Sequence, residues 1–127
     1  LNLKLNILRN FRNLNVWKEG IKLVKEVYSL STLLPEEEKF GLKSQICRAA
    51  VSVPSNIAEG SSRNSEMEYK RFLEIAMGSL FELETLLIII NEIYFNTSQS
   101  RINGVIEFVH AEQKMLNNLI TRLKANN

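Results

Sequence analysis

The chain of 127 residues has no aspartate, a single cysteine, a single histidine and only two prolines. Cys47 alone excludes an intrachain disulfide framework and a cysteine-cluster zinc site, so a reducing, cytoplasmic setting is expected. With His110 the one imidazole and every acidic residue a glutamate, metal-ligand sets and Ser-His-Asp arrangements lack material. Phosphate-loop and dinucleotide fingerprints are missing as well. The expectation is a non-catalytic protein with no metal, no cofactor and no small-molecule substrate.

No apolar run approaches the roughly 18 residues that cross a bilayer; the longest, Leu86 to Ile90, is short and flanked by charge, so no membrane association is expected. The opening Leu1-Asn2-Leu3-Lys4 shows neither an extended apolar region nor a small-residue cleavage site, and no secretory signal is expected. The native start residue stays open. Five glycines and two prolines leave little material for turns, which implies few, long elements in one domain over 1–127.

What is present is helical periodicity. The first segment, about 15–34, places Trp17, Ile21, Val24, Tyr28 and Ser31 on one face, and Leu34-Pro35 stops it, because the residue before proline is pushed out of helical dihedrals. The second, about 42–60, carries Leu42, Ile46, Ala49, Ala50, Val53 and Ile57. Pro54 inside it predicts a kink near Val51, with Ser52 or Ser55 supplying compensating bonds. Ser65-Glu66-Met67-Glu68 fits a capping box that opens a third helix, about 66–95. After the break Asn96-Thr97-Ser98 a fourth runs to about 124, with Ile102, Val105, Ile106, Val109, Leu116, Ile120 and Leu123 in phase. Four amphipathic helices on short connections predict an all-α, antiparallel up-down-up-down bundle with no sheet.

The third helix is apolar over too much of its circumference. Besides its core stripe it carries Met77, Phe81, Ile88 and Phe95 on one shoulder and Ile75, Leu86 and Ile93 on the other. Either its own bundle surrounds it, or copies of the chain meet there. Self-association makes Met77, Phe81, Ile88 and Phe95 the candidate oligomer interface.

Charge is slight overall, +2, but the first fifty residues hold the excess of cations. Lys18, Lys22 and Lys25 share one side of the first helix, with Arg9 and Arg12 just upstream; Lys43, Arg48, Arg63, Lys70 and Arg71 could extend a basic surface. Such a surface is either an ordinary solvated helix face or an attractor for phosphate backbones of RNA or DNA. Gln45, Arg48, Ser52, Asn56 and Glu59 form a polar stripe on the second helix, read either as a partner-contacting strip or as hydrogen bonding across a helix or subunit seam. Gly78 and Gly104 read as close-packing positions, Trp17 as a core anchor and His110 as a helix-surface residue.

Three strings carry a resemblance: Phe11-Arg-Asn-Leu-Asn-Val-Trp-Lys18, Ser44-Gln-Ile-Cys-Arg-Ala-Ala-Val-Ser-Val-Pro-Ser-Asn-Ile-Ala-Glu-Gly60 and Glu68-Tyr-Lys-Arg-Phe-Leu-Glu-Ile-Ala-Met-Gly-Ser-Leu-Phe-Glu-Leu-Glu-Thr85. They resemble the bacterial four helix bundle proteins, also called 23S rRNA intervening-sequence proteins, over about residues 11–124. The resemblance implies a homopentamer without known enzymatic activity. A related group, the accessory variability determinants of diversity-generating retroelements, looks like a basic pentameric ring that binds nucleic acid and a reverse transcriptase. Cys47 stands where relatives often carry a second arginine, which thins the basic character at that point. A ring would multiply even a modest basic patch; an adaptor ring that holds protein partners is the alternative.

Overall fold

The computed structural model describes residues 9–95 and 100–125. Four α-helices hold most of them: α1 (Asn15–Ser31), α2 (Leu42–Ser61), α3 (Glu66–Ile90) and α4 (Ser100–Ala125). Short 3-10 turns, Phe11–Asn13 and Glu36–Glu38, precede α1 and α2, and Asn91–Phe95 prolongs α3 as a π-turn. No strand occurs among the described residues, so the chain is an all-α four-helix bundle. The expected break at Asn96-Thr97-Ser98 lies outside the described residues. No helix among the described residues is long and apolar enough to cross a membrane.

Local chemistry sets the helix ends. α1 stops at Ser31, ahead of the Leu34 expected from Pro35, where backbone bonds tighten to three-residue spacing, Leu33 N–H to Leu30 O at 3.0 Å and Leu34 N–H to Ser31 O at 3.1 Å, while Ser31 Oγ donates to Tyr28 O at 2.6 Å and Thr32 Oγ1 to Ser29 O at 2.7 Å. Ser65 caps α3 as its spacing predicts, its Oγ accepting the Glu68 N–H at 3.1 Å. α2 runs through Pro54 as one helix, and the Ser52 hydroxyl turns sideways to Ser79 Oγ on α3 at 2.8 Å. Glu38 accepts the Leu42 N–H at 3.0 Å and the Tyr94 hydroxyl, which ties the start of α2 to the end of α3.

The packed pairs are α1 with α2, α2 with α3, α3 with α4, and α4 with α1, which leaves α1/α3 and α2/α4 as diagonals. Neighbours are antiparallel. At one end Arg9 reaches Ser61 and Glu66, and Val16 faces Asn118 and Arg122; at the other, Arg101 reaches Ser29 and Tyr94 reaches Glu38.

One correction concerns the phase of α1. Its buried residues are Val16, Gly20, Leu23, Val27, Leu30 and Ser31, whereas Ile21 and Tyr28 are 39% and 50% exposed and Trp17 and Val24 are half-buried. α1 thus carries two apolar stripes about 100° apart, and the aliphatic one with a glycine in it faces the core. Trp17 serves as an edge-on neighbour of Phe11, ring centroids 5.2 Å apart.

A second correction concerns the glycines. A β-carbon at Gly78 or Gly104 would meet nothing within 4 Å, so neither lets helices approach within this chain. Gly60 and Gly20 do. A β-carbon at Gly60 would stand 2.7 Å from Phe72 Cβ, and one at Gly20 would stand 3.0 Å from Glu112 Oε2 and 3.5 Å from Pro54 Cβ.

Glu112 is the anomaly of the core. It is fully buried, neither carboxyl oxygen has a hydrogen-bond partner among the described residues, and burial, assisted by the nearby Glu19 charge, pushes its pKa up to about 8. At neutral pH it is mostly the uncharged acid.

Candidate functional site

The topology sorts charge by height along the bundle. Arg12 and Lys18 at the start of α1 share one end with Arg63, Lys70 and Arg71 around the α2–α3 junction. Glu36, Glu37, Glu38 and Glu92 gather at the opposite end, where Lys39 and Arg101 also lie. Lys43, in the first turn of α2, therefore sits at the acidic end, away from the cations it was expected to extend.

Two arginines at the basic end are held by the fold itself. Arg9 pairs with Glu66 at 2.9 Å, donates to the Arg63 carbonyl and lies over the Tyr69 ring at 5.3 Å. Arg63 pairs with Glu59 at 2.7 Å and lies over the Phe72 ring at 4.6 Å. These contacts use their charge to clamp the α2–α3 junction. Arg12, Lys18 and Arg71 are exposed and Lys70 is half-buried; among the described residues no ion pair holds any of the four. Lys22 pairs with Glu19 at 2.9 Å, while Lys25 is exposed beside the outer stripe of α1.

The polar stripe on α2 divides. Asn56 Nδ2 donates to Ser52 O and Oγ at 2.8 and 2.9 Å, and Ser52 meets Ser79, so these residues stitch α2 to α3. Gln45 and Arg48 are exposed and, with Ser52, Ser79 and Glu82, line an open polar cleft of about 450 Å³.

The bundle does not cover the apolar arc of α3. Phe81 is 60% exposed and Ile88 46%, with Ile75 and Ile93 also open; Met77 and Phe95 pack partly against the core, and Leu86 is buried. Enclosure within its own bundle, one of the two readings of the arc, is thus excluded for Phe81 and Ile88.

A second apolar surface was not expected. Phe11, Trp17, Ile21 and Val24 of the first segment, with Val51, Pro54 and Ala58 of α2, line a groove of about 310 Å³. The signal was present in the sequence, since the stripe assigned to the core of α1 is the one that forms this groove. Other residues missed are Glu112 and Glu84. The Glu84 carboxylate takes His110 Nε2 and Gln113 Nε2, both at 2.9 Å, which joins α3 to α4 and lowers its pKa. No group of three or more potential metal ligands occurs among the described residues.

A family model described as 23S rRNA-intervening sequence protein matches residues 12–118, which takes in the open face of α3, the groove apart from Phe11, and most of the basic end. The chain belongs to the 23S rRNA intervening-sequence protein family. A solved protein of unknown function, from the S23 ribosomal protein family of Bacteroides thetaiotaomicron, is similar over 83% of this chain and 97% of its own. Its TM-score is 0.74 at 22% identity, a likeness of fold. No curated protein matches the chain.

Proposed function

We propose that this intervening-sequence family member is a non-catalytic, cytoplasmic, self-assembling bundle, a homopentameric ring, that holds RNA or DNA backbone on a basic rim. The observation that carries the reading is the clustering of Arg12, Lys18, Lys70 and Arg71 at one end of the bundle, unpaired among the described residues. In a cyclic assembly every copy presents that end to the same side of the ring, so the field adds. Phosphate contacts of this kind hold a backbone without reading its sequence. The resemblance to the retroelement accessory determinants supports the same partner class. The one histidine is engaged by Glu84 on the bundle surface, which suits a binding protein better than a catalyst.

Anisotropy of a labelled structured RNA across a salt series tests the reading. The expected result is affinity that falls steeply with salt, with the slope reduced by about one for each phosphate contact removed by Arg12→Glu or by Arg71→Glu. Lys43→Glu, at the acidic end, should leave the slope unchanged. Absence of binding at low salt contradicts the nucleic-acid reading and favours an adaptor ring for protein partners.

A further inference from the structure

At the basic end, the start of α1 and the late turns of α4 enclose a pocket of about 280 Å³. Its floor is apolar: Leu14 and Val16 are buried, and Met115 packs partly against the core. Its rim is made of carboxamides, Asn13 and Asn15 from the first segment and Asn118 from α4. All three are exposed, and among the described residues none of these amide groups makes a side-chain hydrogen bond. No carboxylate lines the pocket, and Glu19, the first acid on α1, is paired with Lys22. Arg122 completes the wall on the α4 side. Burial lifts the Tyr69 pKa to about 12, and the charges of Arg9 and Arg122 work against that rise, so the Arg122 guanidinium stands near Tyr69.

An apolar floor under a carboxamide rim matches a planar ring with apolar faces and an edge of mixed donors and acceptors, because each amide supplies both. An unpaired nucleobase is such a ring. A carboxamide makes two hydrogen bonds at once to the N6 amino group and N7 of adenine, and side chains that lie flat against a splayed base hold its face. A phosphate would leave the apolar floor unused. The volume sits at the lower edge of small-ligand pockets, about 300 Å³, which suits one base and not a duplex. The cations stand around the pocket instead of inside it. Arg12 adjoins Asn13, Lys18 lies about 60° round α1 from Asn15, and Lys114 lies about 40° round α4 from Asn118. All three are exposed, and among the described residues none is in an ion pair.

We infer that this pocket takes one unpaired base of a single-stranded nucleic acid, adenine best of all, with Asn13, Asn15 and Asn118 at its edge, Met115 against its face and the flanking phosphates on Arg12, Lys18 and Lys114. The inference deepens the nucleic-acid part of the proposed function and rests on it. It narrows the partner to a single strand or a looped-out base, since a base paired and stacked within a duplex presents neither its full edge nor its face. It also adds to binding a contribution that salt does not screen, which the basic rim alone does not supply.

Three labelled probes of equal length separate base from backbone: oligodeoxyadenylate, the same strand paired with oligothymidylate, and an abasic strand. By anisotropy at one salt concentration, oligodeoxyadenylate should bind about tenfold tighter than the abasic strand, and tighter than the duplex despite the duplex's greater charge. Asn13→Ala with Asn118→Ala should remove that advantage and leave the salt slope as it was, because no phosphate contact is lost. Both positions are exposed, and circular dichroism checks that the variant stays helical. Met115→Glu, which places a charge on the floor, should act in the same way. Oligoriboadenylate should bind as oligodeoxyadenylate does, since the base is common to both. Equal affinity for the adenylate and abasic strands, or an asparagine double variant that lowers the salt slope instead, overturns the inference while leaving backbone binding standing. Binding that requires the ribose hydroxyl puts the sugar in the pocket and overturns it too. Absence of binding by every strand at low salt overturns the nucleic-acid reading and this inference with it.

Discussion

Glu112 Oε2 lies so close to Gly20 that a β-carbon on the glycine would stand 3.0 Å from it, with Pro54 on the other side. This contact brings α4, α1 and α2 together around a carboxyl group that has no hydrogen-bond partner among the described residues. The bundle tolerates it as the neutral acid, which ties stability to pH.

The folded pKa of Glu112 is raised to about 8 from 4.5, so its neutral form belongs to the folded state. Its contribution is fully present below pH 4.5 and is lost as pH rises through 8. Glu112→Gln removes the titration. The variant should gain on the unaltered protein by roughly 3 kcal/mol between about pH 4.5 and pH 7, and the gap should stop widening above about pH 8. Urea unfolding of both proteins at several pH values and one protein concentration checks this. Parallel stability curves would show that the carboxyl is hydrated in the folded state.

Two glycines should respond in opposite directions to replacement by alanine. Gly60→Ala drives a methyl group to 2.7 Å from Phe72 Cβ and 3.2 Å from the Tyr69 carbonyl, atoms that cannot swing aside, and should destabilise by about 1–3 kcal/mol. Gly104→Ala meets open space within α4 and should stabilise by about 0.5–1 kcal/mol through helix propensity alone. Thermal unfolding of the two variants reads the sign directly. A stabilised Gly60→Ala would mean that α2 and α3 are further apart than described.

Arg9 binds the segment before α1 to the α2–α3 junction through Glu66, two carbonyls and the Tyr69 ring. Arg9→Ala should cost about 1–3 kcal/mol, because the half-buried Glu66 carboxylate loses its ion pair. Hydrogen exchange should quicken from Asn10 to Leu14 and hardly change in α4. Unchanged exchange at Leu14 would show that Arg9 plays no part in holding the segment.

The helix count and the fold class were legible because each segment repeats its apolar residues at helical spacing and ends in residues that break helices. Ser65 shows how local that information is, since its cap needs only Glu68 three positions on. The phase of α1 was not legible. Val16, Leu23, Val27 and Leu30 compete with Trp17, Ile21, Val24 and Tyr28, and the choice depends on Gly20, which gives Glu112 and Pro54 room to approach. Glu112 sat in plain view between Val109 and Leu116, at the spacing of the buried stripe, but a charge at that position reads as a gap. For the basic residues the type and the helix were readable while the height in the bundle was not, because height comes from antiparallel packing. That is why Lys43 was grouped with cations from which the fold separates it.

The most direct test of the proposed self-assembly through the open face of α3 is the mass of the unaltered chain in solution at micromolar concentration. The expected result is a closed particle of several copies, reduced to single chains by Phe81→Glu with Ile88→Glu. A chain that stays single at that concentration, or an assembly indifferent to those substitutions, would contradict it.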